Sequence, residues 1–182
     1  MQTISRKDPS SIRVFDNKIA FYIVGFVDGE GSFNISFKIR EDYKHKVQIY
    51  PSFNISQKER RILEWIKHYL NCGTIRNRGD GVYYYEVHNL KDLVEKIIPF
   101  FNRYKLRTRK QSSLQIFSKI VLYIYQKKNL SFDDVKKIYF LRDKIKVGRK
   151  RKYSVEDLER AWESSETICQ TREYLDDIVR PA

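Results

Sequence analysis

The stretch Lys18–Gly29 (KIAFYIVGFVDG) is apolar almost without a break and has no polar turn residue before Asp28. Its length favours a buried helix over a strand. From Ser32 the period changes to two: Phe33, Ile35, Phe37 and Ile39 alternate with Ser32, Asn34, Ser36, Lys38 and Arg40. After the polar turn Glu41–Lys44, alternation resumes. Val47, Ile49, Pro51, Phe53 and Ile55 take one face, and Gln48, Tyr50, Ser52, Asn54 and Ser56 the other. This pattern predicts an antiparallel hairpin with one dry and one polar face. Pro51 predicts an edge strand or a bulge. Ile62, Leu63, Ile66 and Leu70 form a helical stripe over 58–70, closed by Asn71-Cys72-Gly73. Thr74–Arg78 and Val82–Val87 flank the turn Gly79-Asp80-Gly81 and predict a second hairpin. A further helix follows over Leu90–Phe101. The remainder reads as helical over roughly 108–126, 132–146 and 154–179.

The resulting order is helix, two strands, helix, two strands, helix, followed by extra helices. It describes an α+β domain, with a core over 1–152 and an acidic helical extension of the same domain over 153–182. The chain of 182 residues is long enough for one domain with a proper core. Charge is distributed unevenly. The net +13 divides into +18 for residues 1–152 and −5 for 153–182. A basic surplus of that size suits a polyanion, most often nucleic acid, with the acidic segment expected to face away from it. Cys72 and Cys169 are too few for a disulfide-stapled secreted scaffold. No run approaches the ~18 apolar residues of a membrane span. No signal peptide is evident, so an intracellular location is expected, either an organelle (chloroplast or mitochondrion) or prokaryotic cytoplasm.

The candidate chemistry sits where the first helix meets the first strand. Gly25 and Gly29 are four residues apart, which puts them on one helix face and lets a second helix approach closely. Ile23, Val24 and Val27 are expected to line that seam. Asp28 and Glu30 follow at its end. A carboxylate there suits a hard divalent cation, and Mg²⁺ favours sites with few protein carboxylates plus phosphate oxygens. Gly29 and Gly31 permit a tight turn and close backbone approach to a phosphodiester.

Residues 23–31, Ile-Val-Gly-Phe-Val-Asp-Gly-Glu-Gly, resemble the signature of the LAGLIDADG homing endonucleases, and the element order over about the first 150 residues is that of the family's core. The resemblance implies the LAGLIDADG fold, an α-β-β-α-β-β-α core with a curved, four-stranded, antiparallel DNA-binding sheet. It implies a metal-dependent DNA endonuclease using Mg²⁺ or Mn²⁺, with Glu30 as the metal-binding acid and the Gly29 carbonyl assisting. Asp28 then caps the partner helix at the seam. Gln57 corresponds to a glutamine that orders water near the metal, with Arg61 as a neighbouring basic residue. The family's active-site lysine falls somewhere in the acid-free stretch Arg103, Lys105, Arg107, Arg109, Lys110, with Lys110 the first choice. For Gln57 and Arg61 the alternative is a capping-box start with Ser56 and Glu59 beside a solvated basic turn.

Only one copy of the motif is present, and single-motif members act as homodimers. The resemblance therefore implies a C2 dimer through Ile23, Val24, Gly25, Val27, Asp28 and Gly29. With DNA as the partner, the polar hairpin faces become the reading surface in the major groove. Asn34, Ser36, Lys38 and Arg40 come from the first strand, and Gln48, Tyr50, Ser52 and Asn54 from the second. Arg76, Arg78 and Tyr83 come from the second hairpin, whose Tyr-rich strand has an ambiguous face. Lys144, Lys146, Arg149, Lys150, Arg151 and Lys152 surround Gly148 as a phosphate-gripping loop. A strand of about nine residues at ~3.3 Å each spans about nine base pairs at ~3.4 Å, so two copies imply a target of roughly 18–22 bp. The family's geometry adds cleavage that leaves 3′ overhangs. His68 and Cys72 lack the two further ligands a zinc site needs. Two other functions stand against the nuclease: an intron-RNA maturase on the same fold, the one case in which RNA is the partner, and a non-catalytic DNA-binding regulator.

Overall fold

Asp16 opens the first helix, α1 (Asn17–Glu30), by accepting a hydrogen bond from the Lys18 amide at 2.9 Å. The computed structural model describes residues 16–43, 45–127, 129–145 and 151–165. Strands β1 (Gly31–Ile39) and β2 (Val47–Gln57) follow, then α2 (Arg60–Leu70), β3 (Thr74–Asn77) and β4 (Tyr83–Val87). A continuous helical stretch, α3, comprises Leu90–Asp92, the π-helical Leu93–Ile97 and Ile98–Arg103. Pro99 has no N–H for an i→i−4 bond. The preceding turn widens instead, and Ile98 donates to the Leu93 carbonyl. Helices α4 (Lys110–Gln126), α5 (Phe132–Asp143) and α6 (155–165) complete the described chain. The expected helical continuation through 179 lies outside the described residues from 166 onward.

The strands form one antiparallel sheet in the order β1-β2-β4-β3. Phe33, Phe37, Phe53, Ile55, Tyr85 and Val87 point into the core. There Phe33 stacks on Phe53 (5.2 Å) and meets the rings of Phe101 and Phe117. The helices cover this face. β2 proves to be an interior strand, not an edge, but β4 pairs with it only over Phe53–Gln57. Pro51 therefore costs no β2–β4 bond, which reconciles it with its position. Trp162 of α6 is buried in the same core, stacks on His45 of the β1–β2 turn at 4.2 Å and contacts Phe132. The described part of the acidic segment is thus packed into the domain, with Glu159 paired to Lys136 at 2.7 Å.

Helix α1 is not buried all round. Ala20, Ile23, Val24 and Val27 form its core stripe and are 0–4% exposed, at the i, i+3, i+4, i+7 spacing of one helix face. That corrects the seam assignment for Ile23, Val24 and Val27. Their contacts are consumed within the chain, and they have no surface left for a second copy. The opposite face carries Phe21 and Tyr22, both more than half exposed, together with Gly25 and Gly29, beside which a Cβ would meet no atom within 4 Å. At Gly31 the reverse holds. A Cβ there would lie 2.5 Å from Val27 Cγ1, so the close approach this glycine permits is of β1 to the end of α1.

Candidate active site and nucleic-acid interface

The last carbonyls of a helix run short of intrahelical partners; in α1 that of Val27 still accepts from the Gly31 amide, and one side chain gathers the end of the helix. Lys110 Nζ donates to the carbonyls of Val27 (3.0 Å), Asp28 (2.8 Å) and Gly29 (2.7 Å). Lys110 thus holds the end of α1, and the Gly29 carbonyl faces its ammonium. Burial pushes the Lys110 ammonium down from its ordinary value, against the charges of Asp28 and Glu30.

Asp28 is likewise consumed within the chain. Its Oδ2 accepts from the Arg107 amide (2.7 Å) and its Oδ1 from the Thr108 amide (3.2 Å) and hydroxyl (2.7 Å). The expected cap on a partner helix is a cap on this chain's own 107–108 segment, so Asp28 and Lys110 lock α1 to the start of α4 from both sides. Partial burial pushes the Asp28 carboxyl up, but the donors from Arg107 and Thr108 outweigh it and hold the group below its ordinary value of 3.8.

Glu30, the next acid, is exposed at the helix–strand junction. The β1–β2 register pairs Gly31 with Ile55, so Glu30 lies beside the end of β2, where Gln57 sits. Gln57 accepts from the Lys58 amide at 2.8 Å. Gln57 and exposed Arg61 border a surface depression of about 530 Å³, together with Tyr22 and Phe26 of α1. The alternative capping box does not form: Ser56 stays in β2, and N-cap Glu59 makes no side-chain cap bond.

The polar face of the sheet opens into a second concavity of about 520 Å³. Its lining includes Asn34, Ser36, Lys38, Tyr50, Ser52, Asn54 and Arg76, as well as Arg151 and Lys152 from the segment beyond α5. Gln48 shares this face by pairing with Lys38, and its Oε1 is buried without a partner among the described residues. Lys38 Nζ lies 3.5 Å from the Tyr50 ring centroid. Arg40 sits just past β1, held bidentately by Asp42 at 2.9 and 2.6 Å. Arg78 donates to the Tyr84 hydroxyl at 2.7 Å. Arg149 and Lys150 lie outside the described residues.

Tyr83 is on the wrong side for the role expected of it. The register pairs Tyr83 with Gln57, Tyr85 with Ile55 and Val87 with Phe53, and residues directly paired share a face. Tyr83 therefore follows buried Tyr85 and Val87 onto the helical side, where Arg60 lies over its ring. Tyr84 and Glu86 take the polar face instead. The buried positions of Tyr85 and Val87 would have revealed this alternation, but an all-tyrosine run does not indicate which tyrosine is buried. Arg142 and Asp143, which also line the groove, carry no sequence signal beyond closing a helix.

The sequence profile of the LAGLIDADG endonucleases matches residues 23–121. This chain belongs to the LAGLIDADG endonuclease family. It is 31% identical over 145 residues to homing endonuclease I-ApeII of Aeropyrum pernix, spanning 75% of this chain and 86% of that one. It is 40% identical over 92 residues to a probable intron-encoded DNA endonuclease of Mycosarcoma maydis, covering 50% of this chain and only 32% of that relative. Among solved structures, the DNA complex of the archaeal intron-encoded homing endonuclease I-Vdi141I superposes with a TM-score of 0.72 at 29% identity. That match covers 83% of this chain and 98% of the other. The LAGLIDADG fold expected from the motif is thus the observed one, with a four-stranded antiparallel sheet and helices on its apolar face. Among the described residues, no helix is long and apolar enough to cross a membrane.

Proposed function

We propose that this chain is a site-specific homing endonuclease that cuts double-stranded DNA as a C2 homodimer. One observation carries the reading. Of the two motif acids, Asp28 is engaged by hydrogen bonds within the chain, and Glu30 is left exposed at the root of a sheet whose outer face is polar and basic. No group of three metal-binding side chains occurs among the described residues. The donor set instead suits Mg²⁺ or Mn²⁺ held by one carboxylate per chain and completed by phosphate oxygens, so Glu30 would hold it. Such an ion supplies Lewis-acid activation of water for phosphodiester hydrolysis.

The chain's own residues supply position. Lys110 and Asp28 fix the end of α1, and Glu30 with it. Gln57 and Arg61 border the same end of the sheet and would orient water and neutralise phosphate charge. Two copies meeting through Phe21, Tyr22, Gly25 and Gly29 would bring two Glu30 carboxylates close to the two-fold axis, one for each strand. The two sheets then read a roughly 18–22 bp pseudo-palindrome in the major groove, and cleavage between them leaves short 3′ overhangs. The test is incubation with Mg²⁺ and the uninterrupted DNA that would flank this gene's intron. Two cuts near its centre support the reading. Intact DNA, with intron RNA spliced faster instead, would overturn it in favour of the maturase.

A further inference from the structure

A carboxylate is out of place on a surface that must meet a polyanion, and Glu86 lies in the middle of this one. It belongs to the polar face of β4, directly opposite Asn54 of β2 and Thr74 of β3, and is only 8% exposed. Its Oε2 is ion-paired with Arg76, the diagonal neighbour on β3, whose side chain is 65% exposed. Its Oε1 accepts from Asn54 Nδ2 at 3.2 Å when the Asn54 amide takes the orientation that satisfies its neighbours. The Asn54 oxygen then accepts from Asn34 Nδ2 (3.0 Å) and Ser52 Oγ (3.1 Å). His88 Nδ1 stands 3.9 Å from Oε2.

Both carboxylate oxygens are thus engaged by neighbours on the same face, and the residue has almost no surface with which to touch a base. Arg76 is the reverse. One of its terminal nitrogens is tied to Glu86, while its side chain is mostly exposed and lines the groove. A guanidinium fork reads guanine through O6 and N7 only if its plane is fixed, and a free arginine side chain loses rotamer entropy when it is ordered.

Resting on the DNA-reading role proposed for the sheet, we infer that Glu86 and Arg76 form one reading unit, in which buried Glu86 positions Arg76 to recognise a single base pair in each half-site. Asn54 belongs to the scaffold of that unit. Its amide is saturated by Glu86, the Phe53 carbonyl, Asn34 and Ser52, so it holds the unit in place and does not read a base.

The test is selection of bound duplexes from a fully randomised library by gel shift and sequencing, using the full chain and two variants. Wild type is expected to enrich a two-fold symmetric motif. Glu86→Gln, nearly isosteric, should lose about tenfold or more of the preference at one symmetric pair of positions, with an unchanged melting temperature. Its affinity for random DNA should be equal or higher, because a negative charge is gone. Arg76→Lys, at an exposed site, keeps the charge but not the fork, and should lose preference at the same pair with the salt slope retained. If Glu86→Gln does not fold, Arg76→Lys decides: loss confined to one symmetric pair supports the unit, and unchanged preference overturns it. Variant preferences that are unchanged, or changed at different positions, overturn the unit while leaving the reading sheet intact. Failure of wild type to enrich any motif overturns the DNA-reading role and this unit with it.

Discussion

Asp28 accepts three hydrogen bonds from Arg107 and Thr108, whereas the Glu30 carboxylate two residues later is exposed. Substituting each should therefore fail in a different way. Glu30→Gln is expected to abolish cleavage and leave binding equal or tighter, because a charge near phosphate is removed while the groove contacts remain; paired gel-shift and cleavage assays on one duplex measure this. Normal cleavage by the variant would remove Glu30 from the site. Asp28→Asn should instead loosen the junction between α1 and α4. Because the folded Asp28 carboxyl is held below its ordinary value of 3.8, its contribution is present at neutral pH and is lost as pH falls through the lowered value. Melting curves should show wild type more stable than Asp28→Asn at pH 7, with the gap closing below about pH 4. A gap independent of pH would mean that the carboxylate's charge is not what holds the loop.

At the scale of elements, α1 is a helix with two apolar faces and one core. Ile23, Val24 and Val27 were natural candidates for the seam because sequence alone cannot say which apolar stripe of a doubly apolar helix faces its own sheet. The 3.6-residue period divides the helix into two stripes but does not label them. The glycines are decisive here. In the isolated chain, Gly25 and Gly29 have open space beside them. Gly25→Ala should therefore raise the melting temperature of the monomer slightly, since Ala gains roughly 0.5–1 kcal/mol over Gly in a helix interior. Gly25→Leu should leave the monomer folded and abolish the dimer, because the larger side chain keeps two helices from approaching. Sedimentation with thermal melts separates the two effects. A wild-type chain that stays monomeric at micromolar concentration, or a Gly25→Leu chain that still dimerises, would place the seam elsewhere.

Over the whole molecule, under the proposed DNA-reading role, the net charge of +13 and the groove shared by the sheet and the segment beyond α5 would divide the work of binding. Contacts to phosphate set affinity, and contacts to base edges set sequence preference. Lys152→Ala is accordingly expected to weaken all duplexes alike and to lower the slope of log affinity against log salt by about one. Lys38→Ala, which removes the ammonium stacked on Tyr50, should relax preference at one symmetric pair of positions by ~1–3 kcal/mol. Binding titrations at several salt concentrations on matched and mismatched duplexes distinguish the two. If Lys152 changes base preference and Lys38 does not, the sheet is not the reading surface.

The period of two in Phe33–Ile39 and Val47–Ile55 was enough to define the dry and polar faces of the first hairpin, because alternation is a local property of the backbone. The nonapeptide Ile23–Gly31 placed the acids at a helix–strand junction for the same reason. Tertiary structure decided what depends on residues distant in the chain. Lys110, some eighty positions from Val27, closes the end of α1. Arg107 and Thr108 claim Asp28, leaving Glu30 as the available acid. Strand pairing with Phe53 and Ile55 sends Tyr83 inward and Glu86 outward. Hydrogen-bond partners across eighty residues and the choice between two apolar stripes are settled by packing, which no local pattern encodes.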